Sequence, residues 1–392
     1  MLDHLIRRIA MGTYILAPEA QTESHVRDLA ACGIDFLAGT ACPPELLDRL
    51  HSHGMGAMQT GVVPHWWGGD GKNAGQLHMT NPLSAYEQAA AAWQDHPAVW
   101  GIDVGDEPAM QDFPHYGKVC AAVPGLCRGK QAYLNIYPQY GWLANQPDDA
   151  VRRQLGTDSF SEYIDAYCCC VESPYVCFDH YMYSSSPEAA LCDMRVVSDA
   201  CRRYHRDMWM VLQVSSSDEA CPLTENQLRF QAYAAMAFGA KVLLWACWSP
   251  GWFHHHVLDK QGEKTQQYDR LQRVIRGVHA LDEAFLAHRY ECTAAVGRGE
   301  SLDTQLVHDL HGTGELLAGI SRSDAGEAIL LLASGDPWDS SPGAETVTLH
   351  APSCRVTLHT EQGMRRPAES GGTYAFTLER NHAAVLVIEP EG

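Results

Sequence analysis

Acids set at strand ends are the residues of this chain best suited to chemistry. The run Ala98-Val-Trp-Gly-Ile-Asp-Val-Gly-Asp-Glu-Pro108 reads as a buried strand that stops on two acids and a proline. Period-two alternation sets Trp100, Ile102 and Val104 against Gly101, Asp103, Gly105 and Glu107. The apolar set suits packing under helices, so Glu107 projects on the opposite face. Asp106 falls on the other parity and is expected to orient a loop or a hydroxyl. A second run, Val176-Cys-Phe-Asp-His-Tyr-Met-Tyr183, sets Asp179, Tyr181 and Tyr183 against Val176 and Phe178. Asp179 is the other acid that inward parity brings near a strand end. Glu219 and Asp218 follow a third run, Met208-Trp-Met-Val-Leu-Gln-Val-Ser-Ser216, where Gln213 opposes Leu212 and Val214.

Amides, histidines and aromatics gather at the same ends. They include His65 and Trp66, Asn135 and Tyr137, His180 and Tyr181, Gln213, and Trp245 and Trp248. Sugars carry hydroxyls at the ring edge and C–H groups on the faces, so a sugar site combines polar side chains with flat aromatic platforms. Cleaving a glycosidic bond also needs two carboxyl groups, one protonated and one ionised. Glu107 is the expected general acid, because burial beside aromatic rings raises a carboxyl pKa. Asp179 is the expected partner, with Glu219 in reserve. The remaining residues, with Asp106, are expected to bind substrate.

These side chains need a scaffold. Strand patterns recur at 9–16, 34–39, 56–63, 98–105, 132–137, 175–183, 208–214 and 241–248. Helical patterns separate them at 23–31, 44–53, 84–95, 110–119, 159–171, 187–206, 224–238 and 268–288. Eight β/α pairs in this length predict a (β/α)8 barrel, whose chemistry sits at the C-terminal mouth of the strands. From about residue 289 the helical period disappears. Short runs at 305–308, 315–321, 328–333, 345–350, 355–360, 374–378 and 383–388, parted by Gly, Pro, Asp and Ser, predict an antiparallel β-sandwich. The expected division is a barrel over 1–288 and an accessory sandwich over 289–392.

The segments Trp100-Gly-Ile-Asp-Val-Gly-Asp-Glu-Pro108, Phe178-Asp-His-Tyr181 and Phe238-Gly-Ala-Lys241, with the aromatic end of strand eight, resemble the barrel glycoside hydrolases of clan A. The nearest likeness is to family forty-two β-galactosidases and uncharacterised bacterial relatives with a C-terminal sandwich. The resemblance implies an acid/base glutamate after strand four, a position that Glu107 matches, with Asp106 where asparagine is usual. It also implies a nucleophilic glutamate ending strand seven, where this chain carries Gln213. Either the second carboxylate has moved, or the enzyme inverts, or the site is not a clan A hydrolase. Two other readings stay open: a non-catalytic carbohydrate-binding barrel and a metal-dependent sugar-processing barrel enzyme.

Composition narrows the partners. The formal net charge is −20, which argues against nucleic acid and anionic membranes. No apolar run is long enough to span a bilayer, and the N-terminus lacks the pattern of a secretory leader. The fourteen cysteines include no Cys-x-x-Cys pair and several lie in apolar elements, so reduced thiols and a cytoplasmic protein are expected. No Gly-x-Gly-x-x-Gly follows the first strand, and no cofactor is expected. Strand one lacks the His-x-His of metal-dependent barrel hydrolases. The three side chains of His254-His255-His256 point different ways, so no metal is expected either. Ser215-Ser-Ser217 lacks a nucleophile elbow, and Lys241 starts its strand at the wrong mouth for a Schiff base. The expected partner is a carbohydrate substrate; homo-oligomerisation is left open.

Overall fold

A computed structural model describes residues 8–68, 73–127, 129–139, 155–333, 337–338 and 342–391. Residues 1–7, 140–154 and most of 334–341 lie outside the described residues. Eight parallel strands close in sequence order into a barrel. They are β1 (Ala10–Tyr14), β2 (Phe36–Thr40), β3 (Gly56–Gln59), β4 (Val99–Asp106), β5 (Gln131–Ile136), β6 (Tyr175–Asp179), β7 (Asp207–Gln213) and β8 (Ala240–Ala246). Between and after them run α1 (Glu23–Cys32), α2 (Pro44–Ser52), α3 (Leu83–Trp93), α4 (Phe113–Leu126), α5 (Phe160–Cys170), α6 (Pro187–Tyr204), α7 (Glu225–Ala237) and α8 (Gln266–His279). The predicted fold class is the one observed.

Local chemistry sets several helix starts. Thr22, Ser159 and Ser186 each accept a hydrogen bond from a backbone N–H of the first turn, and Pro187 occupies the first turn of α6. Thr224 and Gln227 form a reciprocal capping box on α7. Gly33 ends α1 at φ 100°, a conformation that a side chain would strain.

The barrel interior is filled by large rings. Phe36 of β2 lies 6.2 Å from Trp100 of β4 and 6.3 Å from Trp209 of β7. Those strands are not neighbours, so the rings meet through the interior. The Tyr14 and Tyr133 hydroxyls, from β1 and β5, hydrogen-bond across it. Trp100 therefore faces inward, contrary to the expected outward set. The cause is register. β4 bulges against β3 near Trp100 and against β5 between Asp103 and Gly105. Each extra residue reverses the strict alternation.

Contacts divide the chain into two compact units. One holds Ala10–Pro222 and Val242–Tyr268; the other holds Leu223–Lys241 and Asp269–Gly392. In the second, sheets ordered β10-β13-β17-β16 and β15-β14-β18-β12-β11-β9 enclose one apolar core, with Val347, Leu349 and Phe376 from one sheet and Ile329, Leu358 and Leu386 from the other. The added strands are β9 (Arg289–Val296), β10 (His308–Gly312), β11 (Leu316–Ser323), β12 (Gly326–Ala333), β13 (Ala344–His350), β14 (Cys354–Thr360), β15 (Gly363–Arg365), β16 (Ala368–Ser370), β17 (Thr373–Glu379) and β18 (Ala383–Pro390). The run expected at 305–308 is irregular; its strand begins at His308. Helix α7 is buried from Gln227 to Ala237 and packs on β11 and β12. The approach needs Gly319, because a Cβ there would lie 2.3 Å from the Ala237 carbonyl oxygen.

Candidate active site

The ends of β4, β5 and β6 bring four carboxyl groups together. Asp103 and Asp106 belong to β4, Glu107 follows it, and Asp179 ends β6. Asn135 of β5 lies between two of them. Its side-chain nitrogen donates to Asp179 at 2.7 Å and to Asp106 at 3.3 Å, while its backbone carbonyl accepts the Glu107 N–H at 2.9 Å. Asp106 thus lies inside the acidic group, not on the opposite parity, because the bulge after Asp103 turns it inward.

The loop after β3 covers Glu107. Trp67 pairs with Asp106 as a short parallel bridge, and the Trp67 indole N–H donates to the Glu107 carboxylate at 2.5 Å. Gly68 permits this approach. A Cβ there would meet the Glu107 carbonyl oxygen at 2.2 Å and the Ala109 nitrogen at 2.6 Å. Glu107 itself takes a positive φ of 40°, a strained conformation of the kind found at functional positions.

Electrostatics follow from this crowding. Burial pushes the Glu107 carboxyl well above the usual range, and repulsion from Asp179 and Asp106 adds to it. Burial and Asp106 push Asp103 up to about 7, against hydrogen bonds from Thr60 and the Gly105 N–H. Asp106 is raised by burial, opposed by Asn135 and by nearby His65. The Tyr137 hydroxyl is raised by burial and by the Glu107 and Asp179 charges, which places it beside both acids. Acids buried and crowded together in this way are held toward their protonated forms.

Aromatic rings line the same region. Trp252 is edge-on to Tyr14 at 6.0 Å and lies 6.3 Å from Tyr181, which meets Phe253 at 5.1 Å. Trp67 and Trp252 are among the exposed large apolar side chains.

Other expected site residues stand elsewhere. His65 is exposed and close to Asp106. Trp66 is buried, and the exposed ring is that of its neighbour Trp67. Trp245 and Trp248 are completely buried and offer no face to a ligand. His180 is also completely buried. Its ring nitrogens engage Asp193 at 2.7 Å and Ser185 at 2.6 Å, so it braces the loop after β6. Gln213 is a second brace: it accepts from the Tyr183 N–H at 3.1 Å and donates to Ser184 at 2.9 Å. Glu219 is exposed, and its carbonyl is hydrogen-bonded by His255. Asp103, Tyr14, Trp67 and Trp252 are not among the site residues expected from the sequence, although inward parity on β4 marks Asp103. Among the described residues no three His, Cys, Asp or Glu side chains are grouped as a metal ion would require.

No family model matches the chain, and no curated protein matches its sequence. Solved structures do share its fold. One described as a glycoside hydrolase is 10% identical with a TM-score of 0.55, over 97% of this chain and 92% of that one. A glycoside hydrolase family 5 protein from Bacteroides vulgatus is 8% identical with a TM-score of 0.54, over 97% and 89%. An Anoxybacillus α-amylase is 9% identical with a TM-score of 0.51, over 99% of both chains. At such identities the likeness is one of fold, and that fold is a barrel joined to a further β-rich region.

Proposed function

We propose that this chain is a glycoside hydrolase in which Glu107 is the general acid and Asp179 the second carboxylate. The observation that carries this reading is the Glu107 carboxyl, raised by burial and by Asp179, and set among the exposed rings at the end of β4. An acid that keeps its proton at neutral pH can protonate a leaving oxygen. Asp179, bonded to Asn135, is suited to activate a water, which favours inversion. Trp67, Trp252 and Tyr181 supply faces for the sugar, while His65, Asp106, Asn135 and Tyr137 supply polar edges. The chemistry uses no cofactor. Residues 1–288 form the catalytic part and 289–392 the accessory sandwich. The solved structures of like fold include glycoside hydrolases, which supports this class.

A second reading has its own support. Gln213 stands where clan A enzymes carry a nucleophile, and both ends of its amide are engaged in bracing a loop. A barrel that binds carbohydrate without cleaving it fits that observation. A panel of chromogenic and natural glycosides separates the two. The hydrolase reading expects turnover that Glu107→Gln lowers roughly a hundred- to ten-thousand-fold on unactivated substrates. Asp179→Ala should be comparably impaired and Glu219→Ala active. If Asp179→Ala is fully active while Glu219→Ala is dead and azide yields a glycosyl azide, the mechanism runs through Glu219. Saturable binding without turnover of any glycoside favours the binder.

A further inference from the structure

The six-stranded sheet carries a basic groove on its outer face. In β14, Val356 and Leu358 enter the core, so Arg355, Thr357 and His359 face outward. β18 runs beside it, with Arg355 opposite Glu389 and Thr357 opposite Val387. The hairpin through β15 adds Met364, Arg365 and the following Arg366. These side chains line a cavity of about 530 Å³.

Its charge is out of character with the protein. Three guanidinium groups and one carboxylate line it, in a chain of net charge −20. Glu389 is already engaged, accepting from Arg355 at 2.6 and 3.1 Å. Arg365 reaches the Thr377 carbonyl at 3.4 Å, and Arg366 has no carboxylate partner among the described residues. Two adjacent arginines with no bonded carboxylate among the described residues suit oxyanions such as carboxylate and sulfate, which their fork of N–H groups can hold in pairs of hydrogen bonds.

The lining also narrows the anion. It contains no Trp, Tyr or Phe. It therefore lacks the platform that a neutral sugar face needs, and the one on which single-stranded nucleic acid bases stack. The volume is that of a small-molecule site and exceeds what one phosphate fills. Thr357 and His359 offer hydrogen-bond partners for sugar hydroxyls, and the exposed Met364 gives an apolar wall. We infer that this groove is a second binding site, for a carboxylated or sulfated oligosaccharide held by Arg365 and Arg366. The inference stands on the sandwich alone and does not require the barrel to be a hydrolase.

Affinity electrophoresis of the full chain tests it, at about 150 mM salt to screen loose surface charge. Separate gels contain polygalacturonate, dextran sulfate, unmodified dextran or polyglutamate. Retardation is expected with polygalacturonate, dextran sulfate or both, which distinguishes carboxylate from sulfate ester, and not with dextran or polyglutamate. The double variant Arg365→Ala, Arg366→Ala should weaken it roughly tenfold or more, as expected when charge-assisted hydrogen bonds are lost. Both side chains are exposed, so an unchanged melting curve certifies the variant's fold. No retardation by either anionic polysaccharide overturns the inference, as does equal retardation of the double variant. Equal retardation by polyglutamate assigns the groove to acidic protein instead. Complete competition by millimolar inorganic phosphate reduces it to a phosphate site.

Discussion

Glu107 and Glu361 are both largely enclosed glutamates, and their surroundings act on them in opposite directions. Around Glu107 the nearest charges are Asp179 and Asp106, so burial and repulsion both favour the protonated form. Burial would also raise Glu361. Yet His382, Arg229 and Tyr233 bond its carboxylate and hold its pKa down at about 2. Arg229 reaches Glu361 directly and also bonds Glu225 at 2.7 Å, while the Tyr233 hydroxyl donates to Glu361 at 2.6 Å. One cluster crowds buried acids against each other, which favours their protonated forms. The other matches each acid with a donor and ties α7 to the turn after β14.

The contrast is broken most directly by removing one member from each cluster. Arg229→Met leaves Glu361 enclosed beside fewer donors, which costs about 3–5 kcal/mol when a buried pair loses one partner. Its melting temperature should fall sharply while kcat of the surviving fold holds. Glu107→Gln should do the reverse: lose turnover and melt at or above the wild-type temperature, because a neutral amide cannot ionise among the neighbouring acids. Thermal melts and kinetics on both variants decide it. A stable Arg229→Met would mean that the network around Glu361 is screened and adds little.

That division between clusters was only half legible in the sequence. The strand-end positions of Glu107 and Asp179 were legible because parallel strands fix where their ends lie, and Asp179 sits on an unbroken alternation. Asp106 and Trp100 were misplaced because two bulges in β4 reverse parity, and no residue type announces a bulge there. Trp66 was preferred to Trp67 because the loop after β3 has no period to read; only its bridge to Asp106 sets which indole turns to Glu107. Trp245 and Trp248 looked like platforms and proved to be core, since a tryptophan at a strand end suits either. The Arg229–Glu361 network joins residues 132 positions apart in sequence, which no local pattern encodes.

Stability against pH sharpens the same comparison. Glu361 has an ordinary value of 4.5 and about 2 in the fold. A lowered carboxylate stabilises above its unfolded pKa, and that stability disappears as pH falls from 4.5 toward 2. The amount is about 3 kcal/mol. Asp103 has the opposite sign, moving from 3.8 up to about 7. Its contribution is fully present below 3.8 and is lost as pH rises through about 7. Differential calorimetry against wild type should therefore show Glu361→Gln flattening the acid limb and Asp103→Asn flattening the neutral limb. Identical limbs in all three proteins would show that neither shift survives in solution.

The smallest expected effect isolates a single hydrogen bond. The Trp67 indole N–H favours the ionised form of Glu107, and so works against the burial that raises its pKa. Trp67→Phe keeps an aromatic face and deletes the donor. The Glu107 pKa should then rise further, so the alkaline limb of the rate profile should move to higher pH. A hydrogen bond to a charged group contributes about 1.5–3 kcal/mol when enclosed. Trp67 is 50% exposed, so water replaces part of the lost bond and the displacement should stay below about one pH unit. Melting temperature should hold, since little apolar surface leaves the core. KM should rise modestly if the indole is also a sugar platform, because phenyl is the smaller face. A limb that moves to lower pH would mean that Trp67 supports the protonated acid, and would reverse the role given to that bond.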